Sequence, residues 1–258
     1  MIILLSPSKT ISFEDAPAAD CASVPVFLDD ADFLMSKLKP LSARAIEKLM
    51  KVNPLLAAQT AEWCATWQAP FSEANAKPAA HCFKGAVYTG LDARAWSAED
   101  RVFAQDRLMI LSGLYGALRP FDLLQPYRLE MGLKWSPKRK TTSLYHYWGT
   151  RIQHHVARAS EGLVINLASS EYSKAALGKD EGMRIISPEF KERVGDGFRA
   201  KMAYAKEARG AMARFLIQQR ISNPEDLKEF NGMGYAFNPE QSDGDQWVFT
   251  RDTSTQTS

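Results

Sequence analysis

Short apolar runs at Met1–Leu5, Leu108–Leu111, Leu163–Leu167 and Met183–Ile186 punctuate a chain that is otherwise amphipathic. Each is brief, and each is β-branched or bounded by Gly, Pro or Ser, so the pattern predicts buried strands. Glu189–Val194 and Phe198–Met202 flank Gly195-Asp196-Gly197, which predicts a hairpin, and Trp247–Arg251 reads as a last strand. Between the strands the period changes to that of helices. One runs over Asp30–Leu38 and ends near Pro40, one over Ala43–Lys51 is capped by Ser42, and one starts at Pro54 behind a capping Asn53. Tyr145–Ala159 carries an apolar seam of Leu144, Trp148, Ile152, Val156 and Ala159, with Tyr147, Arg151, His154 and Arg158 as a single polar stripe on its other side. Tyr204–Arg220 buries Ala205, Ala208, Met212, Phe215 and Leu216. Strands dispersed among helices without a regular βαβ rhythm favour an α+β fold over a doubly wound one. The expectation is one compact domain over residues 1–250, a mixed sheet surrounded by helices, followed by a frayed tail over 251–258.

Composition narrows the class. The 258 residues are 45% hydrophobic and 24% charged, so the chain buries enough apolar surface to fold. No apolar run approaches the roughly 20 residues of a spanning helix, and the opening run lacks the charged leader of a signal peptide. Three cysteines, Cys21, Cys64 and Cys82, form no C-x-x-C pair, which fits reduced thiols in a cytoplasmic protein. His146 and His154 lie two helical turns apart, too far to share one ion, so neither a metal nor a cofactor is expected.

Net charge is +2, from 32 Lys+Arg against 30 Asp+Glu, but the charges are segregated. Glu14, Asp15, Asp20, Asp29, Asp30 and Asp32 fall in a stretch without Lys or Arg. Residues 131–160 contain no Asp or Glu and carry Lys134, Lys138, Arg139, Lys140, Arg151 and Arg158. A second basic zone, Phe198–Arg220, includes Lys206 and Arg209. Such clustering is the footprint of a polyanion binder; solvated helix faces are the plainer explanation of either run alone.

Three motifs carry candidate chemistry. Ser6-Pro7-Ser8-Lys9-Thr10 follows the first strand and can present hydroxyls and an ammonium to a phosphate, without the glycines of a Walker loop. Leu111-Ser112-Gly113-Leu114-Tyr115-Gly116 leads to Gln125-Pro126-Tyr127-Arg128-Leu129-Glu130-Met131-Gly132, where glycines and prolines shape the loop that holds Arg128 and Glu130. Leu167-Ala168-Ser169-Ser170-Glu171-Tyr172 leaves a strand with a potential general base, Glu171, although helix capping explains that residue equally; G-x-S-x-G is absent. The segment Leu49–Ala61 approximates a helix-hairpin-helix with Asn53-Pro54-Leu55-Leu56 at its turn, and Arg44, Lys48 and Lys51 precede that turn.

With Phe83-Lys84-Gly85-Ala86-Val87-Tyr88-Thr89-Gly90-Leu91, Tyr147-Trp148-Gly149 and Lys206-Glu207-Ala208-Arg209-Gly210, these blocks resemble the YaaA family of bacterial peroxide-stress proteins over nearly the whole chain. That resemblance implies a cytosolic α+β protein with a helix-hairpin-helix element, binding to duplex DNA, especially distorted DNA, and a role in limiting iron-driven damage during peroxide stress. It transfers no catalytic residue.

Two functions follow as expectations. In the first, Arg44, Lys48, Lys51, Arg151, Arg158, Lys206 and Arg209 contact double-stranded DNA without reading sequence. In the second, an enzyme acts on a small phosphorylated or nucleobase-like molecule in a pocket of Lys9, Arg128, Glu130, Glu171 and Tyr172. A protein-interaction scaffold using the acidic Glu14–Asp32 segment is a third. Where the charged residues converge discriminates among them: a closed cleft favours the enzyme, and an open cationic face roughly 20 Å across, the width of a duplex, favours DNA.

Overall fold

The computed structural model describes residues 1–14, 16–178 and 182–252. The chain opens with β1 (Ile2–Leu5) and continues through α1 (Leu28–Leu38), α2 (Ala43–Met50), α3 (Pro54–Thr66), β2 (Lys77–Pro78), α4 (Ala79–Cys82), α5 (Ala86–Leu91) and α6 (Ala98–Arg107). β3 (Leu108–Ser112), β4 (Gly116–Leu118) and β5 (Leu123–Leu124) precede α7 (Leu144–Trp148), α8 (Arg151–Ser160), β6 (Leu163–Asn166) and α9 (Ser170–Ala176). β7 (Arg184–Val194), β8 (Gly197–Arg199), α10 (Met202–Gln218), β9 (Ala236–Phe237) and β10 (Gln246–Arg251) complete it.

The fold is a mixed α+β single domain. Among the described residues, eight strands form one sheet in the order β4-β3-β1-β6-β7-β10-β9, with β8 paired to β7. The pairings between β3, β1, β6, β7 and β10 are parallel, while β4, β9 and β8 join antiparallel. Ile2, Ile3, Leu4 and Leu5 are all buried, as a parallel strand covered on both faces requires. Helices surround this sheet, and their ends are read from local chemistry. Ser42 Oγ accepts the Ala45 N–H at 3.3 Å to start α2, and Asn53 Oδ1 accepts the Leu56 N–H at 2.8 Å to start α3 ahead of Pro54. Ser97 and Asp100 form a reciprocal capping box for α6.

Three sequence expectations change. Tyr145–Ala159 is two helices, α7 and α8, because Gly149 turns the chain at φ 53° and ψ −126°. Trp148 stays in the core, its Nε1–H donating to Gly113 O at 3.0 Å, but the polar stripe from Tyr147 to Arg158 is broken. Met183–Ile186 and Glu189–Val194 belong to one strand, β7, that runs through Pro188. Arg184 donates its N–H to Gly162 O at 2.8 Å on the β6 side, and Ser187 donates to Asp245 O at 2.8 Å on the β10 side. By that alternation position 188 faces β6, whose pairing ends at Ile186, so proline costs no ladder bond there. Arg251, read both as the end of a last strand and as the start of the tail, is the last residue of β10, so the strand reading holds and the tail starts later. It is buried and hydrogen-bonded through Nε to both oxygens of the fully buried Glu192 at 2.8 and 2.9 Å, and Tyr235 donates its hydroxyl to the same carboxylate. Tail residues 253–258 lie outside the described residues.

Two histidines give the fold an acid limit. His81 is 4% exposed, with Nδ1 at 2.9 Å from Pro17 O, and His155 packs edge-on against Phe27. Burial holds the pKa of each below the ordinary 6.5. The unfolded chain therefore takes up the protons first, so the stability these sites contribute is present above pH 6.5 and is lost as pH falls from 6.5 toward the lowered folded values. Thermal melts at pH 7.5 and pH 5.5 are expected to show a fall in Tm that shrinks in a His81→Gln/His155→Gln variant; an equal fall in both proteins would contradict this.

Candidate functional site

The strand order places a switch point at β1. From β1 the chain moves to β3 on one side, and it later returns to β6 on the other. Loops leaving the carboxyl ends of β1 and β6 therefore diverge and open a crevice there. Ser6, just past β1, ties the loops together at its floor. Ser169 donates its N–H to Ser6 Oγ at 2.8 Å, and the two hydroxyls lie 3.1 Å apart. Tyr88 of α5 donates its hydroxyl to Ser6 O at 3.0 Å.

A third loop, 125–135, covers the crevice. A Cβ on Gly113, at the end of β3, would stand 2.3 Å from Leu129 O, so the lack of a side chain there lets this loop lie close. It carries Arg128 and Glu130. Lys9 Nζ donates to Glu130 Oε2 at 2.8 Å, and Arg128 donates to Glu130 Oε1 at 2.8 Å. Glu171 Oε1 accepts the Gly132 N–H at 2.9 Å, and Tyr172 is buried beside Tyr127. Lys9, Arg128, Glu130 and Tyr172 thus line one narrow recess of about 20 Å3, whereas Glu171 is not in its lining and anchors the loop through Gly132.

Arg128 and Glu130 also line a much larger cleft of about 720 Å3. The end of α2 lines it too, with Lys48, Leu49 and Met50 followed by Lys51, as do Leu133 and Lys134. α2 stops because Lys51 adopts a left-handed conformation, φ 52°, and residues 51–53 turn the chain into α3. Arg44 and Lys48 share a helix face one turn apart. Arg44, Lys48, Lys51 and Lys134 are exposed, and among the described residues none forms an ion pair.

The other cations expected to contact DNA lie apart from this cleft. Arg151 is ion-paired to Asp30, stacks over Tyr147 at 4.7 Å and lines a second depression of about 710 Å3, shared with Lys138, Arg139 and Lys140. The Tyr147 hydroxyl donates to Asp30 at 2.7 Å and its ring stacks on Phe33, so its outer face is already engaged. Arg158 is exposed on α8. Lys206 is exposed near the start of α10, whereas Arg209 is half-buried with its Nε enclosed and, among the described residues, without an acceptor; desolvation lowers its pKa. Lys134 belongs to the cleft yet was counted in the sequence solely as part of a basic run. Its signal was the absence of acids over 131–160.

A family model described as "Peroxide stress protein YaaA" matches residues 1–241. The chain belongs to the YaaA family. A relative from Cellvibrio japonicus (strain Ueda107), described as a UPF0246 protein, is 43% identical over 256 residues, covering 98% of this chain and 99% of its own length. Membership brings a peroxide-stress association, and the cysteines of this YaaA-family chain bear on it. Burial pushes the Cys64 thiol up to about 11 and the Cys82 thiol up to about 12, so both stay protonated at neutral pH and are poor nucleophiles toward peroxide. A chromogenic disulfide reagent is expected to label these two in the native protein far more slowly than after unfolding; fast native labelling of either would contradict the assignment. Among the described residues, no helix is long and apolar enough to cross a membrane.

Proposed function

We propose that this chain binds the phosphate backbone of double-stranded DNA without reading its sequence, prefers bent or distorted duplex, and by covering DNA limits iron-mediated oxidative damage to it. The observation that carries this reading is the set Arg44, Lys48, Lys51 and Lys134, exposed and, among the described residues, without an ion pair, on and beside one helical hairpin. The α2–α3 pair supports a helix-hairpin-helix role. First-turn amides of α3, which Asn53 satisfies in part, stand at the same tip as Lys51, and a helix N-terminus there favours a phosphate.

Leu55 supports the preference for distortion. It is 82% exposed at the tip, next to these cations, where an apolar side chain can enter an opened base step. Leu55→Ser is expected to narrow the affinity gap between a bulged and a linear duplex while leaving linear binding unchanged, as read by fluorescence anisotropy. An unaltered gap would remove Leu55 from the reading. The main test is salt. Four neutralised phosphates give a log–log slope of affinity against salt of about −3.6, and a slope near zero would sink the proposal.

A further inference from the structure

We infer that Lys9 and Arg128 form a subsite for the phosphate of a single nucleotide, and that the Glu130 carboxylate occupies this subsite when no nucleotide is bound. The two oxygens of Glu130 are each held by a different cation, Oε2 by Lys9 and Oε1 by Arg128, both at 2.8 Å. A carboxylate gripped in this way imitates two of the oxygens of a phosphate, and a phosphate brings a further acceptor and more charge. Arg128 has a donor to spare: its side chain is 14% exposed, yet its Nε is enclosed and meets no acceptor among the described residues. An enclosed guanidinium N–H without a partner is costly, and a ligand oxygen would satisfy it. The recess at Lys9 and the 720 Å3 cleft share Arg128 and Glu130 in their linings, so the subsite and the cleft adjoin.

That cleft suits the remainder of a nucleotide. Its volume lies within the range of small-ligand sites, roughly 300–1,000 Å3. Leu49, Met50 and Leu133 give its lining apolar surface for a base, and Lys48 and Lys51 line it as well. It is too small for a duplex, whose width is roughly 20 Å. The nucleotide is therefore either free in solution or unpaired and turned out of a DNA strand, at the usual cost of unstacking. The location agrees with the switch point, where the carboxyl ends of parallel strands bind ligands. The inference does not depend on the hairpin's grip on duplex DNA.

The experiment titrates dAMP, deoxyadenosine, a matched duplex and a duplex with one unpaired adenosine into wild type, Glu130→Gln and Lys9→Met, with Lys48→Glu/Lys51→Glu alongside. Glu130→Gln removes the internal competitor and is expected to bind dAMP at least tenfold more tightly. Lys9→Met, an exposed loop change, is expected to bind it at least tenfold more weakly. Deoxyadenosine is expected to respond to neither. A gain for dAMP identifies a free nucleotide as a ligand, and a gain confined to the bulged duplex identifies a nucleotide extruded from DNA; either supports the subsite. Unchanged or weaker binding of both probes by Glu130→Gln overturns it. Matched-duplex affinity that survives Lys48→Glu/Lys51→Glu would count against the DNA reading alone and leave the dAMP result standing.

Discussion

Reversing Lys48 and Lys51 together to glutamate is expected to weaken duplex binding about a hundredfold at 0.1 M salt. Each phosphate contact contributes roughly 0.9 of a decade at that concentration, because the affinity scales with salt to about the −0.9 power per contact. Losing two of four contacts therefore removes close to two decades, and the log–log slope is expected to fall from about −3.6 to about −1.8. Both side chains are exposed and, among the described residues, without ion-pair partners, so stability is expected to change little. Melting curves check that. Arg158→Glu and Lys206→Glu are the comparators, since these cations lie outside the cleft lining. If either alone weakens binding as much as the double change, the hairpin is not the landing site. Arg151 makes a poor comparator, because its pair with Asp30 would be broken as well.

The largest expected effect on stability comes from two glycines where α5 crosses α10. A Cβ on Gly210 would stand 1.8 Å from Val87 O, and one on Gly90 would stand 2.1 Å from Glu207 O. Both obstacles are backbone, so no side-chain rotation relieves them. Gly210→Ala is expected to cost about 3 kcal/mol of unfolding free energy, at the upper end of overpacking effects, despite the better helix propensity of alanine. Gly90→Ala is expected to cost a similar amount, and the double variant less than the sum, because one separation of the helices relieves both clashes. Denaturant unfolding measures this. Gly197→Ala, with nothing within 4 Å of its Cβ, is the control. A Gly210→Ala protein as stable as wild type would show that the crossing yields easily. The same change is expected to loosen the site, since Tyr88 of α5 holds Ser6 at the base of the Lys9 loop.

Much of the element list was legible locally. β1, β3 and β6 announced themselves as brief apolar runs, and α2 and α3 were delimited by Ser42, Asn53 and Pro54, whose capping chemistry is confined to a few neighbouring residues. The Ser97–Asp100 capping box that starts α6 is equally local. Where local pattern and actual structure parted, a long-range contact decided. Apolar spacing from Leu144 to Ala159 fits one helix, and Gly149 breaks it while Trp148 reaches into the core beside Gly113. Proline in Ile185–Phe190 suggests a strand boundary, and β7 passes it because its neighbour has already ended.

For the site, the residue types came from the sequence and the grouping from the fold. Motif blocks around Lys9, Arg128, Glu130 and Tyr172 were singled out by their Gly, Pro and Ser neighbours, and they do share one recess. Lys48 and Lys51 were assigned to a separate surface, yet they line a single cleft together with Arg128 and Glu130. Likewise the seven cations proposed for DNA were equivalent as charges in a string. Tertiary structure sorted them by place: Arg151 is ion-paired to Asp30, Arg209 is half-buried, Arg158 and Lys206 are exposed outside the cleft lining, and Arg44, Lys48 and Lys51 lie on the α2–α3 hairpin, exposed and, among the described residues, without an ion pair. By itself the sequence determined the strand and helix makers, the capped hairpin and the segregation of charge, because periodicity, caps and composition act over a few residues. The strand order that sets β1 between β3 and β6, and the carboxylate partner each cation meets, were decided by packing between residues far apart in the chain. Lys9 and Glu130 are 121 residues apart in the chain and 2.8 Å apart in space, and no local pattern encodes that pairing.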